Sequence, residues 1–175
     1  MQYKKLSLKM GFPRTKYITT VLDDIMKETT QEQRIRARMM PGTITLNGFL
    51  GKDKRSLGTI IKADEQELDR LEISAEEIAD RMQYFTDASF STFDGTITLE
   101  EFFIIETETT RGRIPCPYSH GGMFRKSVTK LTNTKNHATV TWTSLNIHLI
   151  KEHHFFEGKG SSFRLEPALL VKALF

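Results

Sequence analysis

The sequence is poor in cysteine and has no long hydrophobic run. Its single cysteine excludes a disulfide within the chain, which fits a reducing compartment. No apolar stretch approaches the roughly 20 residues that cross a bilayer, and Lys9, Arg14 and Lys16 interrupt any apolar signal core near the N-terminus. We therefore predict a soluble cytoplasmic protein without a membrane partner.

The charge is divided unevenly along the chain. Residues 1–41 hold nine Lys/Arg and four Asp/Glu, residues 42–110 hold six and fifteen, and residues 111–175 hold ten and three. The overall net charge of +3 is therefore the sum of two basic ends and an acidic middle. Either the basic ends contact a polyanion, or the segments neutralise one another within the folded protein.

The first 110 residues alternate between helical and strand patterns. Lys5–Met10 predicts a short strand, and apolar residues from Lys16 onward predict a helix that can continue to Arg38 before Pro41 and Gly42. A second helix is predicted over Leu57–Leu71. A third begins at Ser74, which forms a capping box with Glu77. The β-rich stretch Thr96–Thr110 follows.

The last third of the chain reads as a hairpin followed by helices. Ser127–Thr132 and Ala138–Thr143 predict two strands, Leu145–His154 a helix, and Ala168–Phe175 a last helix with Pro167 in its first turn. The predicted fold class is α+β: an N-terminal mixed helix and strand region, then a zinc-finger-like hairpin-plus-helix segment and a C-terminal helix. We expect residues 1–110 to form an α+β region with an acidic helical middle. Residues 111–175 would form a basic Cys/His module packed against it.

All five histidines and the only cysteine lie between residues 116 and 154. Cys116 and His120 stand on a segment bounded by proline and glycine, and His148 and His153 (or His154) stand on the predicted helix. Zinc favours four such ligands in a tetrahedron, commonly as two close pairs. We therefore predict one structural zinc ion held by Cys116, His120, His148 and His153. His137, in a predicted turn, is expected to take no part.

This order of ligand turn, strand and His-bearing helix resembles the ββα zinc finger in local plan. The resemblance covers about 40 residues and implies a metal site only. The sequence departs from that family at His120, where the family has cysteine, in a longer gap before the helix, and in the spacing of His148 and His153. This spacing predicts that the helix loosens at its end.

Other interpretations of the same residues stay open. Cys116 can be a buried thiol and the histidines can be surface residues at a helix end. Alternatively the site belongs to a metal-dependent hydrolase with Glu152 as general base, since residues 148–153 resemble the inverted metalloprotease motif with one extra residue. The stretch 93–102 resembles half of a calcium-binding EF-hand loop, but Phe90 and Thr92 stand where carboxylates are needed.

The leading functional interpretation is a zinc-stabilised binding module of unknown biochemical role, more consistent with a non-enzyme than with an enzyme. Its basic C-terminal face would bind nucleic acid or a protein partner. The candidate nucleic-acid contacts are Arg113, Arg125, Lys126, Lys130, Lys159 and Arg164. Tyr118 is a candidate stacking group, whereas Trp142 is expected in the core. The further alternative is a structural or regulatory interaction domain without metal.

Overall fold

The computed structural model describes residues 29–91 and 96–175, which contain five helices and one four-stranded antiparallel sheet. In chain order the elements are α1 (Thr30–Arg38), α2 (Leu57–Arg70), α3 (Ala75–Phe90), β1 (Thr96–Leu99), β2 (Phe103–Pro115), β3 (Met123–Asn133), β4 (Ala138–Thr143), α4 (Ser144–His153) and α5 (Pro167–Leu174). The α+β class is therefore confirmed. The strand predicted at residues 5–10 and the helical pattern before residue 29 lie outside the described residues. None of the helices in the described ranges is long and apolar enough to span a membrane.

Capping residues determine where the helices begin. Thr29 is extended, and its hydroxyl accepts from the Glu32 amide at 3.2 Å while the Glu32 carboxylate accepts from the Thr29 amide at 2.7 Å. Because the extended Thr29 precedes α1, this helix begins at Thr30, and the predicted continuation of one helix through Thr29 to Arg38 is wrong. The predicted capping box at Ser74 and Glu77 is confirmed at the start of α3.

The sheet is a meander in which each strand pairs with its neighbour in sequence. The predicted β3–β4 hairpin is confirmed, with Asn133 opposite Ala138. β2 and β3 are longer than their neighbours: β1 pairs only with residues 103–106 of β2, and β4 only with residues 128–133 of β3. Residues 109–115 and 123–127 therefore form a two-stranded extension, which we call the arm.

The inner face of the sheet forms the larger of two apolar clusters. Phe103, Leu131 and Trp142 point from the strands toward α3, α4 and α5 and are fully buried. The Trp142 indole donates to the Thr86 hydroxyl at 3.0 Å, so its one polar atom is satisfied in the core as expected. We call this cluster the sheet core. The opposite face carries exposed polar residues, as is usual for a one-sided antiparallel sheet.

The second cluster lies at the other side of α4 and contains the cysteine. We call it the metal-side core; its members are Ile35, Met39, Phe49, Leu50, Leu57, Ile60, Cys116, Leu145, Leu149 and Phe155. Loops close it: the Gly158 amide donates to the Phe49 carbonyl at 2.8 Å. A Cβ at Gly158 would lie 2.3 Å from the Leu50 carbonyl oxygen, so only glycine allows this approach.

Helix α4 joins the two cores. Ile147 and Ile150 belong to the sheet core, and Leu145 and Leu149 belong to the metal-side core. The residue at which we expected a domain boundary, Arg111, lies inside β2, beside a register shift between Thr110 and Arg113. The division of the chain into residues 1–110 and 111–175 therefore stays a prediction.

The zinc-finger-like plan is not confirmed in detail. In the ββα plan the ligand-bearing turn is followed by one strand and then the helix, whereas here both β3 and β4 separate the turn from α4. β3 also lies inside the sheet, paired with β2 on one side and β4 on the other. The hairpin and helix are thus part of a larger core and not a separate finger.

Candidate metal centre

The first ligand pair lies on the turn between β2 and β3. Cys116 follows directly after the last residue of β2 and is fully buried, whereas His120 is exposed. The Ser119 amide donates to the Cys116 carbonyl at 3.4 Å, and Ser119 has a left-handed backbone with φ 64°. This tight reversal brings a ring nitrogen of His120 within 4.8 Å of the Cys116 sulfur.

The second pair lies on α4. His148 and His153 are five residues apart, which places them about 140° apart around an ideal helix axis. The helix nevertheless continues through His153, and only His154 adopts the left-handed conformation, with φ 50°. The expected loosening before His153 is therefore wrong: both imidazoles reach the turn from an intact helix, with ring centroids 5.2 Å apart.

The four predicted side chains converge on one point. The ligand atoms of Cys116, His120, His148 and His153 all lie within 4.8 Å of one another. The Nε2 atoms of His120 and His153 are 2.8 Å apart, those of His148 and His120 are 3.1 Å apart, and the Cys116 Sγ is 3.5 Å from the His153 Nε2. The four residues are therefore close enough to bind one metal ion.

Hydrogen bonds among these groups do not account for the convergence. A neutral imidazole Nε2 carries either one hydrogen or one lone pair, so it serves one neighbour well. His120 Nε2 has two close neighbours, the imidazole nitrogens of His148 and His153, and His153 Nε2 also has two, the nitrogen of His120 and the sulfur of Cys116. A cation shared by all four lone pairs satisfies every contact at once.

The pKa values also suit ligation. Burial, and to a smaller extent the neighbouring histidines, lowers the pKa of His153 to about 4. Burial and the nearby His120 lower the pKa of His148. Both rings are thus neutral near pH 7 and keep a free lone pair. Burial raises the pKa of the Cys116 thiol, so its thiolate needs a cation to replace the proton.

Two aromatic rings hold the imidazoles in place. The Tyr118 ring stacks on His153 with centroids 3.8 Å apart and planes 5° from parallel. The Phe124 ring stacks on His148 with centroids 4.3 Å apart. Tyr118 was expected as a stacking group for nucleic acid, and this is corrected because its ring face is already used at the cluster. The stacking of Tyr118 on His153 and of Phe124 on His148 was not predicted from the sequence, although both aromatic residues lie within four residues of His120.

Arg38 of α1 supports the turn from outside. Its Nη2 donates to the Cys116 carbonyl and its Nε to the Pro117 carbonyl, both at 3.0 Å. Two parallel bonds from one guanidinium fix both position and orientation of the acceptors. Arg38 is 78 residues from Cys116 in the sequence, and no local signal pointed to it.

The remaining histidines lie outside the cluster. His154 Nδ1 is 2.7 Å from the Glu65 carboxylate on α2, which resolves the choice between His153 and His154. His137 lies in the β3–β4 turn with a left-handed backbone. No carboxylate belongs to the cluster within the described ranges. Glu152, the proposed general base, is exposed on the last turn of α4.

The six candidate nucleic-acid contacts do not share one surface. Arg164 is corrected: its side chain is 6% exposed and donates two 2.6 Å bonds to the buried Asp64. Lys130 lies opposite Glu106 in the sheet, 3.7 Å from its carboxylate, and Lys159 lies on the loop after α4. Arg113, Arg125 and Lys126 lie together on the arm.

Comparison of the sequence with models of known protein families found no match, and neither did comparison with curated proteins or with solved structures. A functional interpretation of this chain therefore depends on the chemistry of the Cys116, His120, His148 and His153 cluster and of the surfaces beside it.

Proposed function

We propose that this chain is a zinc-stabilised, non-enzymatic module that binds nucleic acid through the arm. The observation that carries the proposal is the convergence of one thiol and three imidazoles within 4.8 Å. Zinc accepts this mixed sulfur and nitrogen set, whereas calcium and magnesium prefer oxygen ligands. Other late first-row metals accept it too, so the metal is identified by elemental analysis.

The ligand spacing supports a tetrahedral ion. With zinc bonds of about 2.0–2.1 Å to nitrogen and 2.3 Å to sulfur, neighbouring ligand atoms should be about 3.3–3.6 Å apart. The three short separations in the cluster are 2.8, 3.1 and 3.5 Å, and the longest is 4.8 Å, so ligation requires adjustments of about half an ångström at the short contacts and of about 1 Å at the longest. Four protein donors also fill a tetrahedron and leave no position for a catalytic water.

Metal analysis of the protein purified without chelator tests the zinc assignment. We expect about one zinc per chain, lost from His148→Ala and Cys116→Ala and kept by the matched control His137→Ala. Absence of stoichiometric metal, or equal metal content in all four proteins, would refute the zinc centre. Zinc-dependent hydrolysis that is abolished by Glu152→Gln would replace the proposal with the hydrolase alternative.

Surface charge supports the nucleic-acid part of the proposal. Lys151 is paired with Asp80 at 2.6 Å and Arg164 with Asp64 at 2.6 Å, so part of the basic excess of residues 111–175 is neutralised internally. Four basic residues of the arm are exposed: Arg111, Arg113, Arg125 and Lys126. Among the described residues, no carboxylate forms an ion pair with any of them. Binding should weaken steeply as salt is raised, because phosphate contacts release counterions. Absence of binding at about 50 mM salt would end this part of the proposal.

A further inference from the structure

The arm carries basic side chains and also borders a cavity. The cavity has a volume of about 420 Å³ and lies between the C-terminal half of α3 and the arm. Gln83, Asp87 and Phe90 line it from α3, and Arg113, Met123 and Arg125 line it from the arm. Two of the basic residues that offer contacts to a polyanion, Arg113 and Arg125, therefore form part of one wall of a cavity that is open to solvent.

The lining combines apolar, planar and polar groups. Phe90 is 40% exposed and Met123 is 52% exposed, so two large apolar side chains offer contact area to a ligand in the cavity. The Arg125 guanidinium lies 5.9 Å from the centre of the Phe90 ring. A ring face beside a guanidinium plane is the arrangement on which nucleic-acid bases stack.

The acidic group in the cavity, Asp87, favours a base there and disfavours a phosphate. Asp87 accepts from the Gln83 amide at 2.7 Å, and its carboxylate has further acceptor capacity. A carboxylate repels a phosphate but accepts hydrogen bonds from the N–H groups of a base. The cations of Arg111 and Lys126 lie on the arm outside the cavity lining, where they suit the phosphates.

We infer that the arm and the cavity bind single-stranded nucleic acid, with one unstacked base in the cavity and the neighbouring phosphates on the arm. This inference rests on the proposed function and names its ligand class. In a duplex the bases are held in the stack, so none enters the cavity without unpairing. The competing mode is insertion of the two-stranded arm into the major groove of duplex DNA, which has room for a β-ribbon.

Fluorescence anisotropy with the zinc-loaded full chain tests the inference. The probes are a short mixed-sequence RNA, the DNA of the same sequence, and the corresponding duplex, each at about 50 mM and about 200 mM salt. The variants are Phe90→Ala in the cavity and Arg111→Glu with Lys126→Glu on the arm. Lys172→Glu is the matched control, an exposed cation on α5. Circular dichroism verifies that each variant is folded.

We expect single strands to bind at least about tenfold more tightly than the duplex, and Phe90→Ala to remove about tenfold of that affinity. The arm variant should weaken every probe and flatten the salt dependence, and the control should change neither. A preference between RNA and DNA would show whether the 2′-hydroxyl is also recognised.

Three results would overturn the inference in different ways. Equal binding of duplex and single strand, with no effect of Phe90→Ala but a loss in the arm variant, would exclude a base in the cavity and leave the proposed function intact. No binding of any probe at about 50 mM salt would refute the nucleic-acid function itself. Tighter binding of the duplex than of single strands would favour insertion of the arm into the groove.

Discussion

The sheet core and the metal-side core bury side chains to the same degree, but they differ in what holds their backbones. Around the sheet core, four strands are joined by continuous ladders. Around the metal-side core, single bonds connect loops, such as the Lys52 amide to the Lys159 carbonyl at 3.0 Å. Few backbone bonds between segments make a region prone to local opening.

This difference indicates which part of the protein a metal would stabilise. A 175-residue protein buries enough surface to be stable without a metal. A zinc ion at the β2–β3 turn would instead join that turn to α4, the helix shared by both cores. Packing would therefore stabilise the sheet core, and the metal would cross-link the metal-side core.

The largest effect is expected from Phe103→Ala in the sheet core. Phe103 is fully buried, and its ring lies 4.8 Å from that of Phe85. Truncation leaves a cavity and should reduce the free energy of unfolding by about 4 kcal/mol. Urea unfolding followed by circular dichroism should give the same loss with and without chelator. A loss that depends on chelator would show that the two cores are not separable.

Metal removal should affect the other core by a smaller amount. With free zinc at about one hundred times its Kd, removal by chelator should cost about 2.7 kcal/mol. Hydrogen exchange should accelerate at residues 116–122 and in α1, and stay slow in β2, β3 and α3. Uniform acceleration would contradict the separation of the metal-side core from the sheet core, and no acceleration would contradict a structural metal.

A buried carboxyl on the metal side provides a pH-dependent test. Glu157 is 4% exposed and accepts hydrogen bonds from Asn146 at 2.9 Å and from Ser161. Burial raises the pKa of Glu157 from 4.5 to about 7. Since the folded state then holds its proton more tightly than the unfolded state, this group's contribution to stability falls as pH rises from about 4.5 to about 7.

Glu157→Gln removes that titration. As the pH is raised from 5 to 8, the free energy of unfolding of this variant should rise by about 2 kcal/mol relative to that of the unsubstituted protein. Zinc-loaded protein is used for both, so that ligand protonation affects them equally. A constant difference between the two proteins across this range would show that Glu157 is ionised throughout.

The smallest effect is expected from Arg38→Ala. Loss of its two bonds to the Cys116 and Pro117 carbonyls loosens the turn without removing a ligand. We expect zinc affinity to fall about tenfold, as for other groups that orient ligands. Competition with a chromophoric chelator measures this. Arg70→Ala, at the exposed end of α2, is the matched control and should leave the affinity unchanged.

The features predicted correctly are those with local signals. Ser74 and Glu77 mark the start of α3, Pro167 marks α5, and the two strand patterns on either side of the polar turn at residues 133–136 mark the hairpin. The approach of Cys116 and His120 to the histidines of α4 could also be predicted, because nitrogen and sulfur ligands were confined to one segment.

The features missed depend on contacts distant in sequence. Arg38 reaches the turn from a helix 78 residues away, and Arg164 is buried by Asp64, which is 100 residues away. Formal charge counts treated Arg164 as a surface cation because they carry no information on pairing. Only the register of β2 and β3 shows that Arg113 and Arg125 face each other across the arm.

The most direct test of the central claim is X-ray absorption at the zinc edge of the purified, fully loaded protein. We expect a four-coordinate ion with three nitrogen ligands at about 2.0–2.1 Å and one sulfur at about 2.3 Å. The sulfur signal should disappear in Cys116→Ser, while His154→Ala should leave the spectrum unchanged. A first shell without sulfur, or one with an additional water oxygen, would contradict a closed structural centre.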